Sequence, residues 1–448
     1  MANPLLLLHG YGSSAQAYKT WKNIFLQPPK GVEPRKVEEI SVGNYVTLNN
    51  EITIDDIANG FQHALHDKGL DGKPFDAVVH STGMLVMRAW LTANSVQTSR
   101  HGLLKRLVAL APATFGSPLA AKGRSLLARI FMGNKQIGPD FLDSGDLVLS
   151  NLELGSQYTW DLAHKDLIHS KLYGVDNTTP YVFVFDGTND YGKLAEIFDS
   201  PDQEGSDGVV RWSAVALNTR KITLNLSSRT PTIEWADWSN LLEIPVIPVA
   251  GVNHNQILSN PPQDLIALVL QALNVNSQED FDKVHAAARA TAVIKEGQDK
   301  LDANRWQQFV VHAKDSQDCP ITDYSIEILA QDESGEQTTV SKFEDDVHPF
   351  AADTSFRCFH VNLRELPPLE GKKLIARVSA STGTQLVGYR GYGLDASAEP
   401  DFGPVDLQIP TDQKQAGTAT LFFPFTTTLI EIILSREPKP PFTIFQWE

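Results

Sequence analysis

The sequence predicts an α/β protein: a mostly parallel sheet of about six strands with helices on both faces, followed by an all-β, sandwich-like domain. Three observations carry this. Up to residue 276, short apolar runs alternate with longer helical patterns, and continuous rather than alternating runs suit strands buried on both faces. Near residue 300 the apolar period changes from helical to two. The later runs are separated by turn clusters such as ESGEQ, STGTQ and ASAEPDFGP.

In chain order, the parallel strands are expected at Leu5–Leu8, Val37–Ser41, Ala77–His80, Leu107–Leu110, Val182–Phe185 and Ile247–Ala250. Helical spacing occupies Ala15–Phe25, Ile54–Leu65 and Met84–Thr92. Between 113 and 180 the alternation breaks into GRSLLARIFMG, FLDSGDLVLSNLELG and YTWDLAHKDLIH, helical segments rich in Leu, Phe and Trp. An insert of that size above a sheet reads as a helical cap or lid. The first domain is therefore placed at 1–276 with its insert at 113–180. QEDFDKVHAAARATAVIKE sets Phe281, Val284, Ala288 and Ala292 on one face, which predicts a connecting helix over 277–300. Over 301–448, QQFVVHA, YSIEILA, RCFHVNL, KLIARVS and TLIEIIL read as strands of an antiparallel sandwich. No internal repeat is present.

A formal charge of −16 and a pI near 5.2 argue against a nucleic-acid surface or an anionic membrane patch. No run approaches the roughly 20 apolar residues of a spanning helix. MANPLLLLHGYG has no basic n-region and only Leu5–Leu8 as its apolar run, so it reads as a buried strand rather than a signal. Localisation stays open between cytoplasmic and secreted. Cys319 and Cys358 lie outside any CxxC, give no zinc site, and read as two unpaired, partly buried thiols rather than a pair.

The chemistry centres on FDAVVHSTGMLVMRAWL, where an apolar run stops on His80-Ser81, turns at Gly83 and resumes at helical spacing. A sharp strand-to-helix turn exposes the hydroxyl of Ser81 at the carboxyl end of a strand, the arrangement of a nucleophile elbow. Gly83 meets the demand for small flanking residues; Val79 occupies the position where glycine is usual. A serine nucleophile also needs a base and an oxyanion hole. The elbow supplies the N–H of Thr82, and the loop of LLLLHGYGSS supplies that of Tyr11, with Gly10 letting the backbone approach. His254, in the loop of IPVIPVAGVNHNQIL, follows the last parallel-strand candidate and is the expected base. His63, His66, His164 and His169 lie in helical patterns and read as surface or packing residues, and His80 as packing. For the acid, VFDGTND offers Asp186 and Asp190 and EGSDGVVRWSAV offers Asp207; spacing alone does not choose among them.

Taken together, the strand-HG-Y opening, the HSTG elbow, APATFGSPLA, SDGVV and the late GVNH resemble bacterial lipases and related lipid-active α/β-hydrolases, and the hydrolase domain of GPI inositol-deacylase-like proteins. The resemblance covers residues 4 to 275 and not the C-terminal domain. It implies an α/β-hydrolase fold, a Ser81–Asp207–His254 triad with the acid in a turn well after its strand, and no cofactor. Some lipases of this kind hold a structural calcium; Asp202 and Glu204 read instead as solvated carboxylates, so no metal is expected. The implied function is a carboxylic ester hydrolase of lipase or esterase type acting on hydrophobic or acyl-lipid esters, with transient contact at a lipid interface. Leu126, Leu127, Ile130, Phe131, Phe141 and Leu142 would line an acyl pocket or form the core of the cap, and Tyr158 and Trp160 would stand at its rim. The alternatives are an acyltransferase or thioesterase on the same triad, or a binding protein that lost catalysis. The C-terminal domain reads equally as a lipid- or partner-binding module and as a stabilising one.

Overall fold

The computed structural model describes residues 3–8, 18–40, 52–93, 100, 102–122, 146–170, 172–174, 178–191, 204–236, 244–392, 402–409 and 421–439. The chain divides into two compact units, one of residues 1–218 and 238–304, the other of 219–237 and 305–448.

In the first unit, β1 (Leu5–Leu8), β2 (Val37–Ile40), β3 (Phe75–Ser81), β4 (Leu104–Pro112), β5 (Tyr181–Gly187) and β8 (Val246–Val249) form one sheet in the order β2-β1-β3-β4-β5-β8. Every pairing is parallel. These are the six strands expected from the apolar runs. β1, β3 and β5 are buried along their whole length, which explains why their sequences do not alternate. Because all strands point one way, the loops after β3, β4, β5 and β8 leave from one edge, where an open α/β sheet places its ligand.

Helices α1 (Lys19–Leu26), α2 (Ile54–Asp67) and α3 (Gly83–Thr92) follow the expected patterns. Thr53 and Asp56 start α2 with a reciprocal capping box. α3 is buried from Gly83 to Leu91, so its one charge, Arg88, needs a partner. Asp166, from the insert, accepts from Arg88 Nε at 2.7 Å and Nη2 at 2.9 Å, and from the Tyr173 hydroxyl at 2.8 Å. The Thr114 carbonyl accepts from Nη1. Arg88→Ala would leave Asp166 charged and unpaired in the interior. It is expected to lower stability by about 3–5 kcal/mol, read from urea unfolding.

The insert contributes α4 (Asp146–Leu152) and α5 (Gln157–Ala163). The short helices α6 (Trp212–Val215) and α7 (Gln256–Ser259) follow the loops described below, and α8 (Gln263–Ala272) covers the sheet. Residues 277–300 depart from the single connecting helix expected. They belong to two helices, α9 (Gln278–Ala290) and α10 (Ala292–Asn304), which break at Thr291, whose ψ of 145° is extended. Phe281, Val284, Ala288 and Ile294 share the core of β4 and β5, so both helices belong to the first unit.

The second unit holds two sheets that share one core, through residues such as Phe309, Val311 and Ile432 of one and Ile326, Ile328 and Ala376 of the other. The smaller sheet is antiparallel, with β11 (Gln337–Thr339), β10 (Asp323–Gln331), β14 (Lys373–Ser381) and β16 (Val405–Ile409) in that order. The larger departs from the antiparallel expectation. It runs β12 (Val347–Pro349), β13 (Phe356–Asn362), β9 (Trp306–Asp315), β17 (Thr427–Pro438), β6 (Thr219–Asn225), β7 (Thr232–Ala236), with β15 (Val387–Arg390) also on β17. β17 is parallel to both β9 and β6. The β6–β7 hairpin, expected within 1–276, also pairs in this sheet. Cys319 is exposed and Cys358 buried.

Candidate active site

The elbow forms where β3 ends. Ser81 has φ +53°, a left-handed backbone that a non-glycine residue adopts at a cost of about 1–3 kcal/mol. Buried β3 and α3 on either side hold it there, and the Ser81 carbonyl accepts the Ala113 N–H at 3.1 Å. The β3–β4 register slips between His80 and Ser81, so the chain leaves the sheet at the serine. Val79 still pairs regularly with Ala109, and the unusual backbone falls on Ser81 itself; the turn forms without the usual glycine. Ser81 is 3% exposed. Thr82 caps α3, where a backbone N–H has no intrahelical acceptor and the helix dipole is positive.

Asp207 lies in a tight turn over Ser206–Arg211 and is fully buried. Its Oδ1 accepts from the amides of Val209 at 2.9 Å and Val210 at 2.7 Å. The loop after β4 clamps this turn: Ser117 Oγ donates to the Val209 carbonyl at 2.5 Å and Thr114 Oγ1 to the Val215 carbonyl at 2.8 Å. That is the local use of APATFGSPLA. Gly208 has φ +94°, and a Cβ there would stand 2.5 Å from the Tyr191 ring. Gly208→Ala is therefore expected to cost at least about 1–3 kcal/mol through backbone strain alone, and to lower turnover by displacing Asp207. A thermal melt and a rate assay check both.

His254 follows β8 and is also fully buried. Its Nδ1–H donates to Asp207 Oδ2 at 2.6 Å, and its backbone N–H to the Asp207 carbonyl at 3.1 Å. On the other side, His80 Nε2–H donates to the His254 carbonyl at 3.0 Å, with the two rings 4.6 Å apart. Asp207 thus holds the imidazole, and the residue that precedes Ser81 holds the His254 backbone. A carboxylate on Nδ1 fixes the tautomer with its free lone pair at Nε2.

Asp190 is exposed. Tyr158 is half-buried on α5, its hydroxyl donating to Asp55 Oδ1 at 2.9 Å; burial and then the Asp55 charge push its phenol up. Trp160 is buried, with its ring against His164. Tyr11, Leu126, Leu127, Ile130, Phe131, Phe141, Leu142 and Asp202 lie outside the described residues, and Glu204 is exposed. Among the described residues no group of three or more His, Cys, Asp and Glu side chains is placed to hold a metal, and no helix is long and apolar enough to cross a membrane.

Two residues were undervalued by the sequence reading. His80 braces His254 as well as packing. Asp186, weighed there only as a rival to Asp207, ends β5 against the Asp207 carboxyl. The signal for Asp186 was its place at the end of an apolar run.

No family model and no curated protein matches the sequence. Among solved structures, phospholipase PlaB from Legionella pneumophila in complex with thio-NAD is 21% identical, with 99% of this chain and 96% of that one covered and a TM-score of 0.75. A second structure of PlaB gives 20% identity, 100% and 96% coverage and 0.77. The mature form of a Bacillus licheniformis lipase is 16% identical over 60% of this chain and 92% of that one, at 0.36. The fold is the α/β-hydrolase fold followed by a β domain.

Proposed function

We propose that this chain is a serine-nucleophile hydrolase of carboxylic esters, acting on hydrophobic or acyl-lipid substrates. The observation that carries the reading is the 2.6 Å bond from the His254 ring to buried Asp207, with the His254 backbone carbonyl bonded to the neighbour of an elbow serine. In the proposed reaction the Ser81 hydroxyl attacks the ester carbonyl while His254 Nε2 takes its proton. Asp207 stabilises the resulting imidazolium. The amides of Thr82 and Tyr11 donate to the tetrahedral oxyanion, each contributing a factor of about 10²–10³. His254 then protonates the leaving alcohol, and water attacks the acyl-enzyme with the same ring as base, releasing the acid and restoring Ser81.

Two things support an apolar acyl group: the low exposure of Ser81 and the mostly apolar, buried residues of β3 and α3 on either side of it. Phospholipid esters join the substrate panel because the chain is similar from end to end to a phospholipase. The test is a fluorophosphonate probe followed by peptide mapping, beside p-nitrophenyl esters of rising chain length and a phosphatidylcholine vesicle. An adduct on Ser81 with ester turnover is expected; a folded protein that neither takes the probe nor cleaves any ester would overturn the reading.

A further inference from the structure

Asp186 is 1% exposed at the end of β5, and the reaction above gives it no task. Both loops that carry the proposed acid and base close on this strand end. The Gly187 carbonyl accepts the Trp212 indole N–H at 3.1 Å, from just beyond the Asp207 turn. The amides of Thr188 and Asn189 donate to the carbonyls of Val249 and Val252, each at 3.1 Å, on the way to His254. Gly187 packs so closely that a Cβ would lie 2.5 Å from the Val252 oxygen. In this enclosure the Asp186 carboxyl, buried with both oxygens short of a donor among the described residues, lies within interaction range of the Asp207 carboxyl. Two carboxyl groups so placed, away from water, do not both ionise.

The donors distinguish the two. Asp207 receives three: the Val209 and Val210 amides and His254. Neither oxygen of Asp186 meets a donor in hydrogen-bonding geometry among the described residues, and the adjacent Gly187 amide is the weakest influence on it. Burial first, and then the Asp207 charge, push the Asp186 carboxyl well above the ordinary carboxylate range. The other titratable groups nearby do not reverse this. The Tyr191 phenol, over Gly208, is itself pushed up by burial and by Asp207. The Lys300 ammonium, from α10, donates to the Thr188 carbonyl. His254 lies on Asp207.

We propose that Asp186 is a positioning residue: a neutral carboxylic acid whose O–H donates to Asp207 and holds that carboxylate where His254 meets it. Its role in turnover rests on the hydrolase reading; its protonation does not. No bond is made or broken, and the proton stays on Asp186 throughout the cycle.

A group whose proton affinity rises on folding contributes stability that is present at acid pH and is lost as pH climbs from its unfolded value towards its raised one. Asn at 186 keeps a donor and cannot ionise. The urea midpoint of Asp186→Asn should therefore gain on that of the native protein as pH rises from about 5 to about 9. Asp186→Asn should also keep turnover close to native. Asp186→Ala should lose roughly 10- to 100-fold in kcat with KM unchanged, as when a hydrogen bond to a charged acceptor disappears. A midpoint difference that stays flat with pH, or an Ala variant as active as the Asn one, would overturn the proposal. If Asp186→Ala fails to fold, the Asn midpoints decide alone. Should the native protein resist the fluorophosphonate probe, the hydrolase reading falls while the urea comparison still reports the acid pair.

Discussion

Ser81→Ala should lower kcat on an activated ester by about 10⁶-fold and abolish the fluorophosphonate adduct, with the melting temperature little changed. The effect is this large because the three groups act as a unit. Without the hydroxyl there is no covalent path, and the rate that survives comes from substrate binding and the oxyanion donors. Stability should hold because the left-handed backbone at position 81 is as costly for alanine as for serine, and burial of β3 and α3 enforces it in either case. A loss below about 10²-fold would mean that another group attacks the ester.

Asp207→Asn is expected to cost roughly 10⁴-fold in kcat with the fold intact. The mechanism is a change of tautomer. An amide can keep the bonds from Val209 and Val210 through its oxygen while turning its NH₂ towards His254 Nδ1. The ring then accepts at Nδ1 and carries its proton at Nε2, the position that must be bare to act as base. Asp190→Asn is the matched control, on an exposed residue of the rival loop. Parallel kcat measurements separate them. Full activity in Asp207→Asn with loss in Asp190→Asn would move the acid to the other loop.

The parallel sheet was legible because β1, β3 and β5 are buried along their whole length and are written mostly in apolar residues; Leu5–Leu8 appears with identical bounds in sequence and structure. The elbow was legible from the abrupt change of period at Ser81-Thr82-Gly83. Spacing did not choose the proposed acid: Asp186 ends β5 and Asp190 and Asp207 follow it, and the resemblance selected Asp207. What ties Asp186 to Asp207 is a return of the chain over 20 positions, which leaves no periodicity to read. The break at Thr291 was silent for a different reason. AAARATA contains no glycine or proline, and the extended backbone there answers to packing on the sheet below. The β6–β7 hairpin was missed because its partner in the sheet, Thr427, lies 208 residues beyond Thr219. A local pattern can mark a strand but not the neighbour it will choose.

That loan of nineteen residues, 219–237, to the far sheet has a consequence for how the polypeptide is made. During synthesis the hairpin leaves the ribosome long before β17, and must wait with one backbone edge unsatisfied while some 190 further residues appear. Late non-local pairing of this kind slows maturation and invites aberrant strand partners. It also means no single cut frees the first unit: a stop codon after Asn304 would strand an open β-ribbon on the fragment, and clean separation requires excising the ribbon as well.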